Sequence, residues 1–156
     1  MPRVSPAALA LAALVAACGP STSTGGAPPA PISASRASAH WMATLAPVGA
    51  STVRGTVTVS TMGDRQTVRI QIAGAAPSSI YPWHIHTGSC ADGMGTIVGP
   101  AAHYTALGSA SDGTAALMAD LAVTLNQNQR YHVNVHASPS DMGSIVACGD
   151  LAMHEM

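Results

Sequence analysis

The sequence predicts an all-β domain. Its clearest signal is the alternation in Val53-Arg54-Gly55-Thr56-Val57-Thr58-Val59, which resumes in Thr67-Val68-Arg69-Ile70-Gln71-Ile72 after a turn at Met62-Gly63-Asp64. Apolar side chains at every second residue give a strand one buried and one wet face, and a glycine-bearing turn of roughly three to five residues joins two such strands as a hairpin. The second signal is the return of short runs of this kind, with turn residues between them, at the roughly 8–12-residue spacing of sandwiches and barrels. The third is that helical periodicity and capping signals rarely coincide. The strongest helical window, Ala115 to Leu125, follows a turn at Asp112-Gly113 and reads better as a strand.

In chain order the expected strands are Trp41–Leu45, the hairpin pair already described, Ile80–His86, Thr114–Leu121, Tyr131–His136 and Ile145–Cys148. No segment repeats another at a fixed period. All of them fall after residue 39, and by length the remainder, 40–156, is a single domain.

Residues 1–17 hold one basic residue, Arg3, and then the apolar run Ala7 to Ala17. That run is too short to span a bilayer and has the proportions of a secretory signal peptide. Its end, Leu14-Val15-Ala16-Ala17-Cys18, resembles the lipobox of bacterial lipoproteins, which implies lipidation of Cys18. Gly19 after the cysteine implies, by the habit of diderm bacteria, the outer membrane facing the periplasm. Residues 18–39 are rich in Ser, Thr, Pro, Gly and Ala with one charge, Arg36, and cannot bury enough apolar surface to fold. They read as a lipidated flexible tether with an end-to-end distance of roughly 25 Å.

The chain has three cysteines, an odd number for an exported protein. With Cys18 assigned to lipid, Cys90 and Cys148 are left to pair in an oxidising compartment, closing a loop that stabilises by roughly 4 kcal/mol. Six arginines and no lysine against seven carboxylates leave the chain nearly neutral, without the basic stripe that nucleic acid requires.

The chemistry is concentrated in His84-Ile85-His86, followed at once by Gly88-Ser89-Cys90. In an extended strand, side chains at i and i+2 leave the same face, so both imidazoles enter one site and Ile85 points away. With His103 in the next loop and His136 near the C-terminal end, the chain offers an all-imidazole set of the kind copper favours. His132 shares a strand face with His136 and reads as structural, with a role as fifth ligand or ligand support as the alternative. His40 and His154 lie near the domain ends and read as solvated. Met94 and Met142 fall in loops beside the proposed site, and thioethers favour Cu(I).

Taken together, Trp83-His84-Ile85-His86-Thr87-Gly88-Ser89-Cys90, Gly99-Pro100-Ala101-Ala102-His103, Val133-Asn134-Val135-His136 and Ala147-Cys148-Gly149-Asp150 resemble bacterial copper/zinc superoxide dismutases in order and approximate spacing, over about residues 41 to 152. The resemblance implies an immunoglobulin-like Greek-key β-sandwich or barrel. It implies copper ligands at His84, His86 and His136, a bridging imidazolate at His103, and a Cys90–Cys148 disulfide that pins the ligand-bearing loop. It further implies His103 as the catalytic proton donor that detaches and reattaches.

Two departures shape the expectation. The family holds zinc with two further histidines and an aspartate after the bridging residue, but no histidine stands between His103 and His132, and Asp112 and Asp120 are isolated; zinc is not expected. The family also carries an arginine three positions before its second cysteine, where this chain has Ile145. Copper-only members of the superfamily lack the zinc and guiding loops as well. Tyr131-His132-Val133-Asn134-Val135-His136 with His84-Ile85-His86-Thr87-Gly88 also resembles the CHRD domain, a related sandwich that generally lacks the cysteine pair.

The expected function is therefore superoxide dismutation to dioxygen and hydrogen peroxide at a zinc-less copper site, by an exported protein anchored to the membrane through its lipid, with a copper-donor protein as the implied partner. The alternatives are a periplasmic copper carrier or storage protein and a non-catalytic CHRD-like interaction module.

Overall fold

A computed structural model describes residues 40–154, so the expected signal peptide, Cys18, the tether and the final two residues lie outside the described residues. Nine strands follow in order: β1 (His40–Pro47), β2 (Arg54–Met62), β3 (Arg65–Ala73), β4 (Ile80–Tyr81), β5 (Trp83–Thr87), β6 (Leu107–Gly108), β7 (Ala115–Leu121), β8 (Tyr131–Ser138) and β9 (Asp141–His154). The only helical turns among the described residues are short 3₁₀ segments at Cys90–Asp92 and Ala101–His103. The fold is all-β, and the 115–121 segment is strand rather than helix. No helix among the described residues is long and apolar enough to cross a membrane.

The seven longer strands form one antiparallel sheet in the order β5-β8-β9-β1-β2-β3-β7, and β4 pairs with β6 in a short ribbon. That ribbon lies against β8 through β4 and against β7 through β6, so the sheet curls around a common interior. The interior is filled by the apolar half of each alternation: Trp41 and Leu45 from β1, Val57 and Val59 from β2, Val68, Ile70 and Ile72 from β3, Leu121 from β7.

Local chemistry explains where the strands depart from expectation. The β2–β3 turn is tighter than the predicted three to five residues: Met62 pairs with Arg65 across only Gly63-Asp64, with Gly63 at φ 67 in the first central position, as a type II′ turn demands. The expected single strand over Ile80–His86 breaks at Pro82, which has no N–H to give a ladder, so β4 pairs with β6 while β5 pairs with β8. The last strand runs well past Ile145–Cys148 in both directions because β9 has two partners, β8 first and β1 beyond it.

The β5–β8 pair is the part of the sheet that positions a site. Both strands are buried on both faces. Trp83, Ile85, Val133 and Val135 face the apolar interior, and the residues between them supply the other face.

Candidate metal centre

That second face is polar and nevertheless buried. His84 sits opposite Asn134 and His86 opposite His132, and both rows extend onto β9, where Asn134 meets Cys148 and His132 meets Asp150. His136 follows at the point where β9 carries an irregularity: Val135 pairs with Ala147 but His136 with Ile145, so Val146 is extra. Such bulges redirect side chains. The His136 amide donates to the Pro82 carbonyl at 2.8 Å, continuing the β5–β8 pairing one residue beyond Trp83.

Three of the four histidines selected from the sequence meet here. His84, His86 and His136 each offer a ring nitrogen within 4.8 Å of the others, and all three are buried. His84 Nδ1 lies 3.2 Å from His136 Nε2. Two nitrogens bonded to one first-row ion at about 2.0–2.1 Å, subtending about 90–110°, stand about 2.9–3.4 Å apart, so the pair is already spaced for a shared ion. His86 Nδ1 is directed at the Gly95 carbonyl at 3.4 Å, and His86 Nε2, buried, has no hydrogen-bond partner among the described residues. A proton on Nδ1 held by a carbonyl leaves Nε2 as a bare lone pair, the arrangement in which metal-binding imidazoles are usually oriented.

Electrostatics favours the neutral rings that ligation needs. Burial, reinforced by the neighbouring His136, lowers His84 from 6.5 to about 4. Burial likewise lowers His86 to about 4, against the opposing pull of the Gly95 carbonyl and with help from His132, His84 and His136. Burial also lowers His136. Near neutral pH the three present lone pairs rather than positive charge.

The site is roofed by the segment after β5. Thr87 N–H donates to the Thr96 carbonyl and Val98 N–H to the Ile85 carbonyl, so the loop folds back along β5. Gly95 makes the reversal at φ +61, where an added Cβ would meet the Thr87 carbonyl oxygen at 2.1 Å. The loop is tied to β9 twice, by the Cys90–Cys148 disulfide and by the Cys90 N–H donating to Asp150 Oδ1 at 2.7 Å. Farther on, Tyr104 stands edge-on to both Trp83 and His84 at 5.1 Å, with its hydroxyl donating to the Val98 carbonyl at 2.6 Å. Burial pushes that phenol up to about 12, so it remains a neutral wall.

The fourth selected histidine is placed differently. His103 closes the Ala101–His103 turn, is exposed, and is not part of the three-nitrogen group. It is, however, the residue before Tyr104, which touches His84.

The neighbours include His132, which reads from the sequence as structural with a fifth-ligand or ligand-support role as the alternative. His132, fully buried, stacks on His86 with centroids 5.4 Å apart and planes 19° apart, and its Nε2 meets the Asn134 amide at 3.3 Å. The signal for it was present, since His132, Asn134 and His136 share a strand face. Tyr104 and Gly95 carried no comparable mark, because their roles depend on how the loop returns to β5.

No protein-family model matches the chain, and no curated protein matches it.

Proposed function

We propose that the domain is a copper-binding protein of superoxide dismutase type, using His84, His86 and His136 as its ligands. The observation that carries this reading is the buried trio itself: three neutral imidazoles with ring nitrogens within 4.8 Å of one another, two of the rings, His86 and His136, also carrying a buried nitrogen without a hydrogen-bond partner. An all-nitrogen set suits copper in both its oxidation states. His84, His86 and His136 would hold the copper, which would supply the one-electron redox chemistry by which two superoxide ions and two protons become dioxygen and hydrogen peroxide. The chain's own residues fix the geometry and exclude water: Gly95 orients His86, the disulfide holds the Gly95 loop down, and Tyr104, packed edge-on against Trp83, walls one side. In this reading His103, exposed and next to Tyr104 in the chain, would relay protons from solvent. The same reading makes residues 1–17 an export signal and Cys18 the lipid anchor.

The test is superoxide decay followed by stopped flow on the copper-reconstituted full chain. Decay well above that of the His84→Ala/His136→Ala chain carrying the same total copper supports the reading; equal rates would overturn it. A copper carrier is the second reading, favoured by one observation: with His103 outside the group, three nitrogens remain, a ligand number that Cu(I) accepts. Quantitative transfer of Cu(I) to an acceptor without dismutation would establish it.

A further inference from the structure

A second pair of histidines meets on the outside of the sheet. His40 on β1 and His154 on β9 are direct cross-strand partners, with ring centroids 6.4 Å apart and planes at 87°. Inside the metal centre, His84 and His86 stand in nearly the same relation, 5.8 Å and 82°. The outer pair differs in its access to water, His154 being exposed and His40 half-buried, so an ion reaches it directly from solvent.

A third donor shares that face. Side chains two apart on a strand leave the same side, so Met42 emerges beside His40 while Trp41 between them turns into the core. Met42 pairs with Ala152, two residues before His154, making Met42 and His154 diagonal neighbours at roughly 7–8 Å, within reach of a long side chain. Met42 is 44% exposed, so its side chain is open to an ion arriving from solvent. Two imidazoles and one thioether are a borderline-to-soft set suited to Cu(I).

We propose that His40, His154 and Met42 form a second, solvent-exposed site for Cu(I). It is independent of the inner trio. Along β9, Ile145, the partner of His136, lies about 30 Å from His154, and Asp150, the partner of the His132 that stacks on His86, lies about 13 Å from it, so the two sites share no ligand and no ion. An open site with three donors exchanges its metal readily, in contrast to the roofed one.

Silver(I), a diamagnetic stand-in for Cu(I), tests this by NMR on the full chain, reading the methionine methyl and histidine Cε1–H signals. Those signals name the side chains that bind, so silver captured elsewhere, for example by Cys18, does not confuse them. The expected result is that Met42, His40 and His154 signals shift together and saturate at one silver concentration, and that His40→Gln or His154→Gln removes the Met42 shift while the inner histidines respond as before. All three positions lie on the sheet surface, and unchanged inner-site shifts confirm that the variants fold. Silence at His40 and His154 would overturn the site. Movement of the two histidines without Met42 would overturn its assignment to Cu(I).

Discussion

His136, one of the three buried candidate ligands, and Ile145 face each other across β8 and β9. Ile145 is the position where the resemblance to superoxide dismutases places a guiding arginine, so the wall next to His136 is apolar and uncharged. A cation there would draw a small anion toward the site. Ile145→Arg is expected to raise the second-order rate of superoxide decay by about tenfold at low ionic strength, with the gain shrinking as salt rises. Stopped-flow rates over a salt series check it; a gain insensitive to salt would mean the arginine acts otherwise than by its charge.

Reduction of the disulfide should loosen the roof. Cys90–Cys148 closes a loop of sequence separation 58, and removing such a link costs about 4 kcal/mol in the chain-entropy account. Urea unfolding of the Cys90→Ser/Cys148→Ser chain should show a loss of about that size, and copper affinity should fall with it, since the same loop carries Gly95 to His86. Retained affinity in the folded variant would show that the loop is not what orients His86.

Gly95→Ala isolates that orientation. At φ +61, with the Thr87 carbonyl 2.1 Å from the added Cβ, the loop must shift. The backbone strain costs about 1–3 kcal/mol. Displacing the carbonyl that holds His86 Nδ1 is expected to weaken copper binding about 10–100-fold. Competition titration measures the affinity, and a loss no greater than that of a glycine elsewhere in the loop, such as Gly93→Ala, would count against it.

In the metal-free domain, His84 and His86 are lowered from 6.5 to about 4. The unfolded chain therefore binds more protons than the folded one between those limits, and stability must fall as pH falls from about 6.5 to about 4. Thermal melts of the metal-free protein should show this slope, and His84→Phe should reduce it. A flat profile would mean that the rings are protonated in the folded state.

Much of this architecture was legible in the chain because strand alternation carries both the core and the site. The period-two pattern that puts Val57, Val59, Val68 and Ile70 inside also put His84 and His86 on one face. Pairing of Cys90 with Cys148 followed from the cysteine count once Cys18 was set aside, and the structure contains that bond. What the pattern could not supply was the outcome of competition between distant segments. The break at Pro82 gives β4 to β6, a strand too short to leave a periodic signal. His103 was grouped with the other histidines by sequence order, yet its side chain is set by a 3₁₀ turn whose direction alternation does not encode. His40 and His154 read as solvated ends because nothing local shows that β1 and β9 bring residues so far apart in sequence into register.

The most direct test of the metal centre is the copper anomalous signal from crystals of the copper-loaded protein. A peak is expected within about 2.0–2.2 Å of His84 Nδ1, His86 Nε2 and His136 Nε2 together, vanishing in His86→Ala crystals of the same form. A copper-loaded crystal with no peak among these three nitrogens, or with copper held only by other residues, would contradict it.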